Sequence, residues 1–314
     1  MKISVGLVQE SPVFFDVRGT MDKLGGLVRA YAAKGCQLLV FPESFIPGYP
    51  RGFSFGTTIG SRSEAGRDLY AIYHQNSIQI DGKEMAELED LAHAEGVYLV
   101  IGATEKMPDN GSLYCSMFYI SPTQGLLGVH RKIKPTGSER IVWAAAGGES
   151  LVTFQTAIGR IGGLICWENY MPLARMAMYQ RGLELYIAPT ADDRDGWLAT
   201  MQHIALEGKC FVMGCNQYFT KSMYPEKYRK LVQSDEEVMC RGGSVIVNPM
   251  GQIIAGPLYD QVGCLIVDLD LQEIVRSKFD FDPLGHYSRN DIFNFEVNNQ
   301  PEMKTEDGLE DRNN

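Results

Sequence analysis

Short apolar runs alternate with stretches of helical periodicity along this chain, and that alternation restricts its fold more than any other feature. Ile3–Gln9 reads as a first strand. A helix follows, with Leu24, Leu27, Val28 and Tyr31 on one stripe and Gly35 as its stop. Cys36–Phe41 is a second strand, ended by Pro42-Glu43. Met85, Leu88, Leu91 and Ala92 return to helical spacing, Gly96 closes that helix, and Val97–Gly102 is again a strand. Later, the strand Leu185–Pro189, a helix over Arg194–Gly208 and the strand Cys210–Cys215 repeat the pattern, with Trp197, Met201 and Ile204 facing inward. Hairpin-like turns interrupt it at Ser121-Pro122-Thr123-Gln124-Gly125, Ala157-Ile158-Gly159 and Asn248-Pro249-Met250-Gly251. Strand–helix alternation around a hairpin-rich middle predicts one layered α/β unit with no internal boundary.

Within that frame, one turn stands out. Ile161–Ile165 reads as a buried strand that stops at Cys166. Pro172 then opens a helix whose shared face is Leu173, Met176 and Ala177, and Gly182 ends it. A cysteine at such a turn can be exposed at the sheet edge and feel the positive end of the next helix, which favours thiolate. A free Cys is more often a small core hydrophobe. The polar and aromatic Trp167-Glu168-Asn169 that follows is odd chemistry for plain core.

Composition removes several function classes. At 314 residues the chain can bury a sizeable core, and 45% hydrophobic with 22% charged is ordinary for a globular protein. The net charge is −10 and no Lys/Arg run occurs, which argues against nucleic acid or an anionic membrane as partner. The alternating Met1–Val8 stretch lacks a signal-peptide pattern, and no apolar run approaches the roughly 20 residues that cross a bilayer. Seven scattered cysteines without a C-x-x-C pair fit a reducing cytoplasm rather than a disulfide framework or a zinc site. The five histidines, His74, His93, His130, His203 and His286, form no evident ligand set and read as structural.

Other strand ends carry chemistry. Glu43 lies just past the second strand, where open α/β sheets hold their ligands, although a lone turn acid is equally a solvated one. Gly48–Gly66, rich in Gly, Ser, Arg and aromatics, reads as a long binding loop. His130–Arg140 contains Lys132 and Glu139 and would by itself be an exposed basic loop. A thiol nucleophile needs a base, which Glu43 can supply without any histidine, and Lys132 can steady negative charge on an attacked substrate. No nucleophile elbow built on Ser, no P-loop and no dinucleotide fingerprint competes. The polar segment 298–314, with five acids against two basic residues, is expected to be a mobile tail after a domain spanning 1–297.

These pieces together resemble the nitrilase superfamily of carbon-nitrogen hydrolases, and within it the true nitrilases. The resemblance is carried by Phe41-Pro42-Glu43-Ser44-Phe45-Ile46-Pro47-Gly48-Tyr49-Pro50, by His130-Arg131-Lys132-Ile133-Lys134-Pro135-Thr136 with Glu139-Arg140, and by Gly163-Leu164-Ile165-Cys166-Trp167-Glu168-Asn169. Ala188-Pro189-Thr190, His203–Gly208 and Asp282–Tyr287 extend it over roughly Lys2 to Val297. It implies an α-β-β-α sandwich and a Glu–Lys–Cys triad: Glu43 as general base, Lys132 as electrostatic stabiliser, Cys166 as nucleophile, with Glu139 as a second glutamate beside them. Tyr49 and Trp167 would wall the substrate site. The implied reaction takes a small-molecule nitrile to carboxylic acid and ammonia through a thioimidate and a thioester, without metal or organic cofactor. A cyanide-hydrolysing enzyme, or an amidase or carbamoylase of the same fold, is the alternative activity, and a non-enzymatic assembly module the least favoured. Pairing into a homodimer or higher homo-oligomer through the helix from Pro172 to Arg181 is also implied. One departure is Gly137, where nitrilases often carry His two residues before the second glutamate, and it bears on pocket shape and substrate size.

Overall fold

A computed structural model describes residues 1–307 and 309. In chain order its strands are β1 (Lys2–Gln9), β2 (Leu38–Val40), β3 (Thr57–Thr58), β4 (Ser61–Arg62), β5 (Tyr98–Lys106), β6 (Leu113–Ser121), β7 (Gly125–Arg131), β8 (Thr153–Thr156), β9 (Gly159–Gly163), β10 (Leu185–Pro189), β11 (Phe211–Cys215), β12 (Tyr218–Thr220), β13 (Val238–Val247), β14 (Ile253–Tyr259), β15 (Gly263–Asp270) and β16 (Lys304–Thr305). The helices are α1 (Val17–Ala32), α2 (Glu64–Gln75), α3 (Lys83–Glu95), α4 (Pro172–Tyr179), α5 (Asp195–Gly208), α6 (Glu226–Arg229) and α7 (Gln272–Lys278). One large sheet runs β15-β1-β2-β5-β6-β7 and the other β12-β13-β11-β10-β9-β8-β16 with β14 also paired to β13, while β3 and β4 form a two-stranded ribbon.

The two-residue period of a strand decides which layer each side chain joins. Leu38 and Val40 of β2, with Tyr98 and Val100 of β5, face the cluster between the sheets; Leu39, Leu99 and Ile101 face a second cluster under Leu24, Val28, Met85 and Leu88 of α1 and α3. The other sheet behaves the same way. Leu185, Ile187, Phe211 and Met213 point between the sheets, while Tyr186, Ala188 and Val212 meet Trp197, Met201 and Ile204 of α5 and Ala177 and Met178 of α4. Helices cover both outer faces, giving four layers, α-β-β-α, around one inter-sheet core.

Three local expectations are corrected. The buried face of α4 is Ala174, Arg175, Ala177, Met178 and Tyr179 with Met176 packed at its margin, whereas Leu173 on the first turn points away from that cluster and is 70% exposed. A helix, α2, follows the long loop at Glu64, capped by the Ser63 side chain, which accepts from the Gly66 amide. The polar C-terminal segment is docked over part of its length. β16 pairs in parallel with β8, and the Glu306 carboxylate accepts from Tyr98, Ser121, Thr123 and the Ala157 amide. Residues 308 and 310–314, the far part of that segment, lie outside the described residues.

Candidate active site

The ends of β2, β7 and β9 converge. Glu43, Lys132 and Cys166 follow these three strands within three residues of each strand end, and all three side chains are buried. Two glycines make the approach possible. A Cβ on Gly163 would fall 1.8 Å from the Ile187 carbonyl oxygen, and one on Gly102 would fall 2.1 Å from that of Pro42. Only glycine lets the chain pass so close behind the Cys166 turn and the Glu43 turn.

Cys166 itself adopts φ +51°, a left-handed conformation that a non-glycine residue holds only when its surroundings enforce it. Those surroundings are visible. The Asn169 amide donates to the carbonyls of Leu164 (2.9 Å) and Cys166 (2.8 Å), and its oxygen accepts from Tyr186 (2.8 Å). Thr190 donates to the sulfur at 3.2 Å. The Glu168 and Asn169 that look out of place in a core sequence are thus both buried, and Asn169 is fully engaged in fixing this turn.

Lys132 is clamped between two acids. Its ammonium donates to Glu43 Oε1 and to Glu139 Oε2, each at 2.7 Å. Tyr49 donates to the other Glu139 oxygen at 2.8 Å, and the Ala191 amide donates to Glu43 Oε2 at 3.0 Å. The Cys115 thiol approaches Glu43 Oε1 at 3.6 Å. Lys132 is therefore no part of an exposed basic loop; it is fully buried because its charge is doubly matched.

Burial opposes the Lys132 charge, but Glu43, Cys166, Cys115 and Glu139 outweigh it and hold the ammonium well above its ordinary range. Burial also raises Glu43, with Glu139 adding repulsion and Lys132 pulling the other way. Burial, then the Glu43 charge, pushes the Cys166 thiol up; Lys132 and Thr190 pull it down. The expectation of a resting thiolate is thus corrected. The sulfur is enclosed rather than exposed at the sheet edge, and the nearest carboxylate disfavours a second negative charge.

A cavity of about 250 Å³ opens onto the sulfur, lined by Cys166, Tyr49, Glu139, Trp167, Asp192 and Arg194 among others. Trp167 is 40% exposed; its indole donates to Asp192 at 2.9 Å, and the Arg194 guanidinium covers the ring at 4.7 Å. Tyr49 and Trp167 both line this cavity, and Tyr49 also holds Glu139. Sequence reasoning missed Cys115, the Ala191 amide and Asp192. Thr190 lay inside a quoted motif, and nothing in its sequence marked a contact to the sulfur.

This arrangement coincides with a family match. Residues 4–279 fit the carbon-nitrogen hydrolase family. The chain belongs to that family. Among curated proteins it is similar to an aliphatic nitrilase of Sinorhizobium fredii, 47% identical over 96% of this chain and 97% of that protein. It is also similar to a bifunctional nitrilase/nitrile hydratase of Lupinus angustifolius, 45% identical over 94% of this chain and 86% of that protein. These relatives place it on the nitrilase branch. The solved carbon-nitrogen hydrolase of Helicobacter pylori G27 shares the fold, with a TM-score of 0.72 at 18% identity, covering 93% of this chain and 97% of that one.

Proposed function

We propose that this chain hydrolyses an organic nitrile to the carboxylic acid and ammonia, with Cys166 as nucleophile, Glu43 as general base and Lys132 as electrostatic stabiliser. The observation that carries the reading is Lys132 held at 2.7 Å by both Glu43 and Glu139 beside a strained cysteine turn. Burial and the Glu43 charge disfavour the thiolate, so attack begins with proton transfer. Glu43 takes the Cys166 proton as sulfur adds to the nitrile carbon and hands it to the nitrile nitrogen, which gives a thioimidate and restores the Glu43 carboxylate. Lys132 steadies the charge that develops on that nitrogen. Water, deprotonated by Glu43, adds to the thioimidate carbon; the carbon–nitrogen bond breaks and ammonia leaves, giving the thioester. A second water cleaves the carbon–sulfur bond, releases the acid and restores the thiol. Glu139 holds Lys132 in place and can receive a proton during ammonia departure.

The similarity to a bifunctional nitrilase/nitrile hydratase favours a secondary outcome, expulsion of the thiolate to release some amide. The assembly reading belongs here too. Tyr170, Met171 and Leu173 lie exposed beside the Cys166 turn, and such a patch fits pairing of two copies over α4. Among the described residues no helix is long and apolar enough to cross a membrane. Seven free thiols fit a reducing, cytoplasmic setting. The test of the activity is ammonia release by purified protein from matched nitriles and amides, with cyanide included. Nitrile turnover well above amide turnover supports the reading; comparable rates on both point to an amidase, and turnover of cyanide alone to a cyanide hydrolase.

A further inference from the structure

Glu168 is not among the residues that face the substrate cavity, yet its carboxylate touches both chain segments that carry the reacting groups. Its Oε2 accepts from the Ile165 amide at 2.7 Å and lies 2.8 Å from His130 Nε2; its Oε1 accepts from the Ile133 amide at 2.7 Å. Ile165 immediately precedes Cys166, and His130 and Ile133 flank Lys132. The other ring nitrogen of His130, Nδ1, lies 2.7 Å from the Ser150 carbonyl oxygen, which can only accept. Both ring nitrogens therefore face acceptors, and the ring is an imidazolium paired with Glu168; both side chains are fully buried. A buried ion pair is a poor source of stability, so a positional role is the better account of it.

From this geometry we infer that Glu168 is a positioning residue that fixes the Cys166 turn against the Lys132 strand end, with the His130 imidazolium locking the carboxylate in place. Three donors from two segments of different sheets converge on one side chain. No backbone pairing joins β7 to β9 directly, since they belong to separate sheets. The distance between the sulfur and the Lys132–Glu43 pair is set through this carboxylate. Catalytic geometry is steep in position, and a displacement of about 1 Å can cost about 10²-fold in rate.

The inference rests on the proposed Cys166 chemistry, and its test separates the two. In E168Q the amide NH2 meets an N–H donor on one side, and in E168D the charge stays but the reach shortens. Both should lower kcat by about 10²-fold with KM within about threefold, at a temperature where each variant is still folded by circular dichroism. Iodoacetamide alkylation of Cys166 should slow with kcat, which a purely stabilising role would not cause. On wild-type protein, residue-resolved hydrogen exchange should find the Ile133 and Ile165 amides protected. A folded E168Q or E168D with kcat within about twofold of wild type overturns the inference, and so does fast exchange at either amide in the wild type, which decides the matter even if neither variant folds. Absence of nitrile turnover in the wild type would instead sink the proposed activity, while alkylation and exchange would still report on the clamp.

Discussion

The Lys132 ammonium lies 2.7 Å from Glu43 Oε1, and neither side chain has any exposed surface. Removing Glu43 leaves the buried ammonium to Glu139 alone, and removing Lys132 leaves the buried Glu43 carboxylate without a counter-charge. Both are also proposed to act on one reacting centre, so their losses should not be independent. Glu43→Gln and Lys132→Met should each reduce kcat by about 10²–10⁴-fold. The double variant should fall little further than the worse single one, because groups acting as a unit lose activity non-additively. Steady-state kinetics on the three variants check this; two losses that multiply cleanly would separate their roles.

Burial raises Glu43 above its ordinary value of 4.5. As a base it works only when ionised, and it is protonated as pH falls through its raised pKa. The acid limb of kcat/KM should therefore lie above pH 4.5, and a limb at or below the ordinary carboxylate value would argue against Glu43 as the base. The free-enzyme profile of kcat/KM reads this pKa most directly.

Glu139 accepts from Lys132 and from Tyr49, so it positions the lysine and is itself positioned. Glu139→Gln should lose most activity, and its residual product should contain a larger fraction of amide, because a misplaced Lys132 no longer favours ammonia departure over thiolate expulsion. Chromatography that follows acid and amide together, for wild type and variant, checks the ratio. An unchanged ratio would return Glu139 to a structural role.

Leu173 exposes 70% of its surface on the first turn of α4. If two copies pair there, Leu173→Glu buries a charge at the interface and should convert the assembly toward monomers in light scattering at micromolar protein. Wild-type protein that is already a fully active monomer would contradict the pairing.

Strand periodicity and helix stops placed most of the layers, because β2 and β10, which face two clusters, read as unbroken apolar runs and β1 as an alternating one. Glu43 and Cys166 are legible as strand-end residues for the same reason, whereas Lys132 by itself reads as part of an exposed basic loop. What escaped were contacts across the sheets. Cys115 sits inside β6, where a thiol looks like any small core residue, and only the folded register brings it to Glu43. Glu168 declared its oddity by following Cys166, but its partners at positions 130 and 133 are far away in sequence. The state of Cys166 was misread because the turn signals a helix start without showing how deeply Glu43 and the second sheet bury the sulfur. The Glu306 contacts were hidden by the polar composition around them, since a carboxylate that finds four donors can dock a segment with little apolar surface.

The central claim is that Cys166 carries the substrate covalently. Intact-protein mass spectrometry during turnover of a nitrile tests it, with wild type and Cys166→Ala compared side by side. The wild type should show an acyl or thioimidate adduct that disappears when substrate is exhausted, and the folded Cys166→Ala protein should show neither adduct nor turnover. Turnover by Cys166→Ala at the wild-type rate would contradict the account.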